Sequence, residues 1–359
     1  MDKFCKTVKM SIFKDIHIKN FRGYEDLKID SLSYINFFVG ANNVGKTTVL
    51  ESVFMLVGMS NPAISWRINT LRSPVNSPFI DLRFLFHNVN KNITPELSAT
   101  FSDGEERTMR LSVGASFAQS DISDAKSTEY ASIWNQLYAD IKRRTPDMQS
   151  EFSGRTVLTV NPEGKIDGKR IDGYAEFLNA IFISSADSSV SASFSEAVKL
   201  RKKDYIISQA KLFDPRINTI ELLSDGLYVG FDGVDQMLPL SMNGIGLSKY
   251  LSIVCAAACG AYNVLLVDEI EDGLHYSAYK TLLEALYLFA KNNGIQFFIT
   301  THSIETLKYL ANLANKNTEL RDMTSVYSLC RTKNNDIKVY TYIGGDLADA
   351  VEQQIELRG

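Results

Sequence analysis

Short alternations of apolar and polar positions run from residue 11 to residue 40 and close on Tyr34-Ile35-Asn36-Phe37-Phe38-Val39, which predicts a strand delivered into Gly40. Past the loop that follows, Val49, Leu50, Val53, Phe54 and Leu56 recur at helical spacing over Thr47 to Met59. The order is therefore strand, loop, helix. Between about residues 88 and 180 the character changes. Polar runs such as Ser120 to Thr128 and the turn signal Asn161-Pro162-Glu163-Gly164 interrupt short strand-like pieces such as Val157 to Val160. The same stretch holds one piece, Tyr130 to Lys142, that reads as a helix.

The regular pattern resumes at Ile181-Phe182-Ile183-Ser184 and is strongest beyond residue 240. Leu247 to Cys259 reads as an apolar helix stopped by Gly260, and Tyr276 to Asn292 as a helix stopped by Gly294. Val264 to Val267 and Gln296 to Thr300 are apolar enough to be strands buried on both faces. Val326 to Leu329 and Ile337 to Tyr342 predict a closing hairpin followed by a short helix. Buried strands alternating with helices predict an α/β fold with a mostly parallel core sheet. An antiparallel strand pair precedes it, and an α+β insertion interrupts it. The expected division is residues 1–87, then an insertion over 88–180 for dimerisation or partner binding, then 181–359.

Composition narrows this picture only slightly. The 359 residues, 45% hydrophobic, suffice for a large core and exceed one average domain of about 100–200 residues. A net charge of −4 advertises no general basic surface, so nucleic acid would need a local patch. Arg143-Arg144 and Arg201-Lys202-Lys203 are the compact basic clusters, and clusters this short are usually solvated faces. Cys5, Cys255, Cys259 and Cys330 form no C-x-x-C pair, and Cys255 with Cys259 fits a buried helical face. The opening MDKFCKTVKM lacks an apolar signal region, and the longest apolar candidate, Ile253 to Leu266, is broken by Gly260 and Asn263. A soluble, cytoplasmic chain with reduced thiols and no membrane contact is expected. No repeat or heptad run appears, which argues against a long coiled-coil arm.

The chemistry begins at Gly40-Ala41-Asn42-Asn43-Val44-Gly45-Lys46-Thr47, a G-x-x-x-x-G-K-T between a strand and a helix. Its backbone N–H groups can curl around phosphate oxygens, Lys46 can meet the β and γ phosphates, and the Thr47 hydroxyl can meet Mg²⁺. Asn42, Asn43, Val44, Gly45, Lys46, Thr47 and Thr48 are the candidate nucleotide-binding residues. Without its flanking strand and helix the motif would be a glycine turn with a solvated lysine. A second motif, Val264-Leu265-Leu266-Val267-Asp268-Glu269, runs four apolar residues into two carboxylates. Asp268, with Thr47, is the candidate Mg²⁺ ligand, and Glu269 the group that would polarise the attacking water.

Lys46 and Asp268 lie 222 residues apart, much farther than in small P-loop kinases and GTPases. Just before the second motif, Ser241-Met242-Asn243-Gly244-Ile245-Gly246 opens a helix and offers free N–H groups and a hydroxyl. Read alone it is a glycine-softened N-cap. In this order and spacing it is the layout of ABC-type ATPases, whose signature reaches across a dimer to the other subunit's γ-phosphate, with Ser241, Asn243, Gly244 and Gly246 in that role. Thr300-Thr301-His302-Ser303 follows a buried strand, where His302 could bond the γ-phosphate or the water. His17, His87 and His275 have weaker claims.

With these four elements in order, the chain resembles an SMC/OLD-like ABC ATPase, closest to the small stand-alone bacterial branch without a nuclease domain. The resemblance rests on Ile16 to Tyr24, Gly40 to Thr47, Pro239 to Leu247, Leu265 to Ser277, Thr301 to Ser303 and Ile355 to Arg358, and it leaves out residues 88–180. It implies ATP and Mg²⁺ as cofactors, Glu269 as catalytic base, His302 as switch histidine, and Gly273-Leu274-His275 at the position where a D-loop crosses the dimer. Two departures stand out: the signature is not a literal LSGGQ, and no glutamine occurs between Trp66 and Val113 where a Q-loop belongs. His87 and Asn88 are weak substitutes.

Some relatives of this kind, as in PARIS-like two-gene systems, form a ring or scaffold that senses a phage protein and controls a TOPRIM-type nuclease. The resemblance thus implies a homodimer or higher homo-oligomer and a separate effector. No acidic TOPRIM-like cluster is legible in the 57 residues after His302. Three rivals stay open: a DNA-repair or SMC-like clamp that binds DNA directly, a transporter subunit disfavoured by Asn20-Phe21-Arg22 and the insertion, and a nucleotide-sensing scaffold with negligible turnover.

Overall fold

The computed structural model describes residues 12–72, 81–114, 135–146, 151–161, 165–184, 190–333, 336–343, 346–347 and 350. In chain order, β1 (Phe13–Phe21), β2 (Tyr24–Ile29) and β3 (Ile35–Gly40) lead to α1 (Lys46–Val57) and α2 (Ala63–Thr70). Five strands follow: β4 (Glu96–Phe101), β5 (Glu106–Gly114), β6 (Gln136–Arg144), β7 (Phe152–Val160) and β8 (Ile166–Lys169). Next come β9 (Ala180–Ile183), α3 (Val190–Lys199), α4 (Lys203–Phe213), β10 (Ile217–Leu223), β11 (Gly226–Phe231) and β12 (Leu238–Pro239). Then α5 (Ile245–Ala258), β13 (Val264–Val267), α6 (Tyr279–Asn293), β14 (Gln296–Thr300), α7 (Ile304–Lys316), α8 (Thr318–Asp322), β15 (Thr324–Arg331) and β16 (Ile337–Ile343) complete the chain.

The core sheet has the order β16-β15-β3-β14-β13-β9. All its neighbours are parallel except β16, which returns antiparallel to β15 as the predicted closing hairpin. The short helix expected after the hairpin falls largely outside the described residues. β3, β13 and β14 are buried at every position because the sheet is covered on both faces. Strand alternation splits their side chains between two cores. Phe37, Leu265, Val267 and Phe297 pack with α3 to α7 on one face. Phe38, Leu266 and Phe298 pack on the other with α1 and with strands of the second sheet.

That second sheet is antiparallel, in the order β2-β1-β4-β5-β6-β7-β8. The 88–180 stretch therefore continues the N-terminal strand pair: β4 pairs directly with β1, with Ile18 opposite Leu97. The helix predicted over Tyr130 to Lys142 is not formed where the chain is described, since Gln136–Arg144 is strand β6. Leu137, Ala139, Ile141 and Arg143 are buried in alternation, so the period is 2 and the β6 register between β5 and β7 wins over local helix spacing. Residues 130–134 of that piece lie outside the described residues. Among the described residues no helix is long and apolar enough to cross a membrane.

Candidate functional site

β14 lies between β3 and β13 in the parallel sheet, so the C-terminal ends of these three strands sit side by side. Each end delivers one sequence motif. Sequence distance disappears here: residues 40–47, 268–269 and 300–302 meet at one sheet edge, the usual crevice of open α/β sheets.

The glycine loop is shaped by sterics at two positions. Gly40 has φ 145, and a Cβ there would lie 2.4 Å from the Leu329 carbonyl oxygen. Gly45 has φ 104, and its Cβ would lie 2.6 Å from the Tyr24 hydroxyl. Between them Asn42 and Asn43 are exposed, Asn43 in the left-handed region at φ 62, while Val44 is buried and pins the loop to the core. Gly45 caps α1 without a side-chain hydrogen bond, which leaves the N–H groups of Lys46 and Thr47 at the helix start for an anion. Lys46 folds back and donates to the carbonyls of Gly40 and Ala41, at 2.9 Å each. Its burial lowers the ammonium pKa, and Glu269, Glu271 and Asp268 nearby push it back up. Thr48 is buried, with its N–H spent on the Gly45 carbonyl and its hydroxyl accepting from Arg72.

Asp268 is the hub. Its carboxylate accepts from the Thr47 hydroxyl at 3.0 and 3.1 Å and from the Thr300 hydroxyl at 2.6 Å. Thr300 in turn accepts from the Glu269 N–H at 2.7 Å, so one β14 side chain ties the two acidic residues in register. Glu269 itself sits at φ 47, a left-handed turn that few side chains adopt without surrounding support. Burial raises its carboxyl pKa, and Asp272 and Asp268 raise it further, while His302 lowers it. A poised carboxyl beside a phosphate loop has the features of a general base.

His302 is half-exposed and fixed from behind. Its Nδ1 lies 2.8 Å from Glu271 Oε1, and the same oxygen accepts the His302 N–H at 2.6 Å. With Nδ1 so engaged, Nε2 is the ring nitrogen left for a ligand. Ser303 next to it caps α7 by accepting from the Thr306 N–H.

The Ser241 to Gly246 segment is built differently. Ser241, Gly244 and Ile245 are exposed, and Gly244, at φ 85, has open space for 4 Å around the point where a Cβ would stand. Asn243 turns inward, its amide donating to the Pro239 carbonyl. Gly246 is a packing glycine: a Cβ there would lie 2.2 Å from the Gly273 carbonyl oxygen, so the start of α5 rests on the turn after Glu269. Among the described residues, no hydrogen bond joins Ser241 or Gly244 to Lys46, Thr47 or Asp268.

Several participants escaped the sequence reading. Lys249 is buried, donates to the Asp268 carbonyl at 2.8 Å and to the Glu269 carbonyl, and lies 3.8 Å from Asp272. Its signal was available, because it is the one charged residue in an apolar helix. Glu51, the one acid of α1, pairs with Arg22 at 2.8 Å and with Arg72 at 2.7 Å, joining the β1–β2 turn to the phosphate-loop helix. Arg331, at the end of β15, donates to the Asn43 carbonyl. His87 Nδ1 bonds the Arg22 carbonyl at 3.0 Å, which supports the β1–β2 turn rather than the phosphate loop. His17 pairs with Asp26 across β1 and β2, and His275 bonds Ser277.

Comparison with known proteins bears on the whole arrangement. Residues 35–308 match the AAA_21 family model, described as "AAA domain, putative AbiEii toxin, Type IV TA system". An "ATP/GTP phosphatase" of Helicobacter pylori is 25% identical, with 97% of this chain and 100% of that protein aligned. The "DNA replication and repair protein RecF" of Clostridium botulinum is 24% identical over 83% of this chain and 94% of that one. Among solved structures, an SMC head bound to the C-winged helix domain of ScpA shares the fold, with a TM-score of 0.50 at 12% identity over 95% of this chain and 99% of that chain.

Proposed function

The chain belongs to the AAA_21 family of AAA domains, with the ABC-type P-loop fold of SMC heads, and from that premise we propose that it binds MgATP at the β3–α1 loop and hydrolyses it. The observation that carries this reading is the meeting of Thr47 and Thr300 on the Asp268 carboxylate, beside the Lys46 ammonium. The donor set fits a hard cation: one hydroxyl and one carboxylate, with phosphate oxygens from the nucleotide, is how Mg²⁺ is usually held. Mg²⁺ so held would neutralise charge on the β and γ phosphates.

Lys46 would exchange its two loop carbonyls for phosphate oxygens, which return its charge to a strong partner. Glu269 would take a proton from the attacking water as the water oxygen bonds to the γ-phosphorus and the bond to the ADP oxygen breaks. His302, oriented by Glu271, would donate to the γ-phosphate or the water through Nε2. Ser241 and Gly244, exposed at the start of α5, would complete the site of a second copy, with Asn243 and Gly246 holding the segment from within, making the working unit a homodimer or a larger homo-oligomer. The name of the Helicobacter pylori relative supports phosphohydrolase chemistry.

The finer reading is that this ATP-controlled oligomer acts in the cytoplasm on a separate effector, a TOPRIM-type nuclease, in anti-phage defence. The toxin–antitoxin description of the family supports it, and the 88–180 part of the antiparallel sheet is the proposed partner surface. Direct DNA binding is the alternative, favoured by the RecF relative. Its basic clusters are weak: Arg143 is buried and pairs with Glu105 at 2.7 Å, and Lys203 pairs with Glu221 at 2.5 Å.

The deciding experiment is solution mass with and without MgATP for the wild type and for Glu269→Gln, with phosphate release on the same samples. A larger species under ATP and lost turnover in the variant are expected. Unchanged mass together with normal hydrolysis by Glu269→Gln would sink both the base and the signature assignments.

A further inference from the structure

A cavity of 690 Å³ opens at the opposite end of α1 from the phosphate loop, between the end of that helix, α2 and the β8–β9 connection. Lys46 and Val57 are the two ends of α1, so the cavity lies about 16 Å from the loop along the helix. Its volume is within the range of small-molecule sites, about 300–1,000 Å³. Gly168 of β8 lies so close to Pro62 that a Cβ would come within 2.8 Å of the proline ring, which fixes one wall against the start of α2.

We propose that this cavity is a second binding site, for a nucleoside phosphate, in which Arg67 and Arg170 take the phosphate and Trp66 receives the base. Guanidinium groups match phosphate oxygens with paired donors, and two of them line this one cavity. Trp66 is half-buried and supplies a flat apolar wall, and Phe54, another lining residue, lies under the Arg67 guanidinium at 5.6 Å. Glu176 separates a nucleoside phosphate from a bare anion. One of its oxygens accepts from Arg107 at 2.9 Å, while the other is buried with no hydrogen-bond partner. A carboxylate oxygen in the wall can accept from the amino and ring N–H groups of a base, which an inorganic anion does not offer. Asn61 and Asn179 add amides for the remaining polar edges.

The site is wired to the phosphate loop through one residue. The Arg107 Nη1 that holds Glu176 also donates to the carbonyls of Leu56 and Val57, the last residues of α1. A ligand that draws Glu176 toward itself therefore alters what caps the helix that begins at Lys46.

The sequence has two tryptophans, so a full-length chain carrying Trp134→Phe reports from Trp66 alone, and Lys46→Ala removes phosphate-loop binding. Titration of that protein with AMP, GMP and ADP, and with inorganic phosphate, all without Mg²⁺, should give a saturable change in Trp66 emission with the nucleotides and none with phosphate. Arg170→Glu, at an exposed position that the fold does not need, should weaken the response about tenfold, the size expected for one hydrogen bond to a charged group. Adding Arg67→Glu should abolish it, with the circular dichroism spectrum unchanged in both variants. No response to any nucleotide at millimolar concentration, an equal response to phosphate alone, or a response that survives both charge reversals overturns the assignment.

Discussion

Asp268 holds Thr47 and Thr300, and Lys46 is tied to the carbonyls of its own loop, at the C-terminal edge of a sheet buried on both faces, whereas Ser241 and Gly244, which belong to the same proposed reaction, stand exposed at the start of α5. The first group needs nothing further to hold its geometry. Met242 beside the second is 76% exposed and Ile245 55%, an apolar presentation that a folded chain does not maintain for its own stability. In the proposed reaction the difference marks where one copy's contribution would stop: the phosphate and metal groups are preorganised within the chain, while the signature segment would be offered outward. Lys249 and Gly246 join the two regions from beneath, one through the Asp268 and Glu269 carbonyls and the other through backbone contact with Gly273.

Changes that strike the preorganised half should cost the most. Glu269→Gln should lower phosphate release by about 10²–10⁴ while ATP binding, followed by titration calorimetry, stays near wild type. Normal turnover would move the base elsewhere. Lys249→Met should come next, since it strands the carbonyls of Asp268 and Glu269 in a buried place. A loss of about 1–3 kcal/mol in denaturant unfolding is expected, with kcat reduced more than KM. A rise in KM alone would show that Lys249 serves binding and not the carboxylate turn.

Gly246→Ala tests the seam between the halves. Its Cβ would press on the Gly273 carbonyl, so a loss of about 1–3 kcal/mol is expected, read as a lower thermal midpoint. An unchanged midpoint would mean that α5 and the Gly273 turn shift apart freely. The pH profile is a gentler probe. Glu269 works as a base only when ionised, and its carboxyl pKa is raised mainly by burial, so the acid limb of kcat should lie above the ordinary glutamate range and activity should fall as pH drops through it. A limb at or below the ordinary range would contradict Glu269 as the base. Ser241→Arg should have the smallest effect on the fold, within about 0.5 kcal/mol because the position is exposed, yet it should remove the ATP-dependent increase in mass. Loss of stability comparable to Gly246→Ala would erase the contrast between the two halves.

How much of the site was legible depended on the range of the interaction. Gly40 to Thr47 and Val264 to Glu269 carry their geometry locally, as a strand into a glycine turn and a strand into two acids, so they could be read directly. Glu271 and Lys249 act through contacts across 31 and 20 residues; the lone charge of Lys249 in an apolar helix marks the residue as special, but its neighbours do not name the partner. The missing glutamine is instructive in the same way. Arg72, within the span where a Q-loop was sought, reaches Thr48 and Glu51 of the phosphate-loop helix. The β6 error has the opposite cause: local spacing favoured a helix, and pairing on both sides imposed a strand.

By itself the sequence determined the α/β class, the apolar strands, the phosphate loop and the two acids, because backbone conformation and burial there follow from residue type and spacing. Only the tertiary structure decided that β14 lies between β3 and β13 and so brings Thr300 onto Asp268. It also decided that residues 88–180 extend the N-terminal strands into one sheet, and that Arg107 grips the end of α1. Strand order and long-range ion pairs are chosen by the energy of the whole packed molecule, and no short window of residues contains that sum.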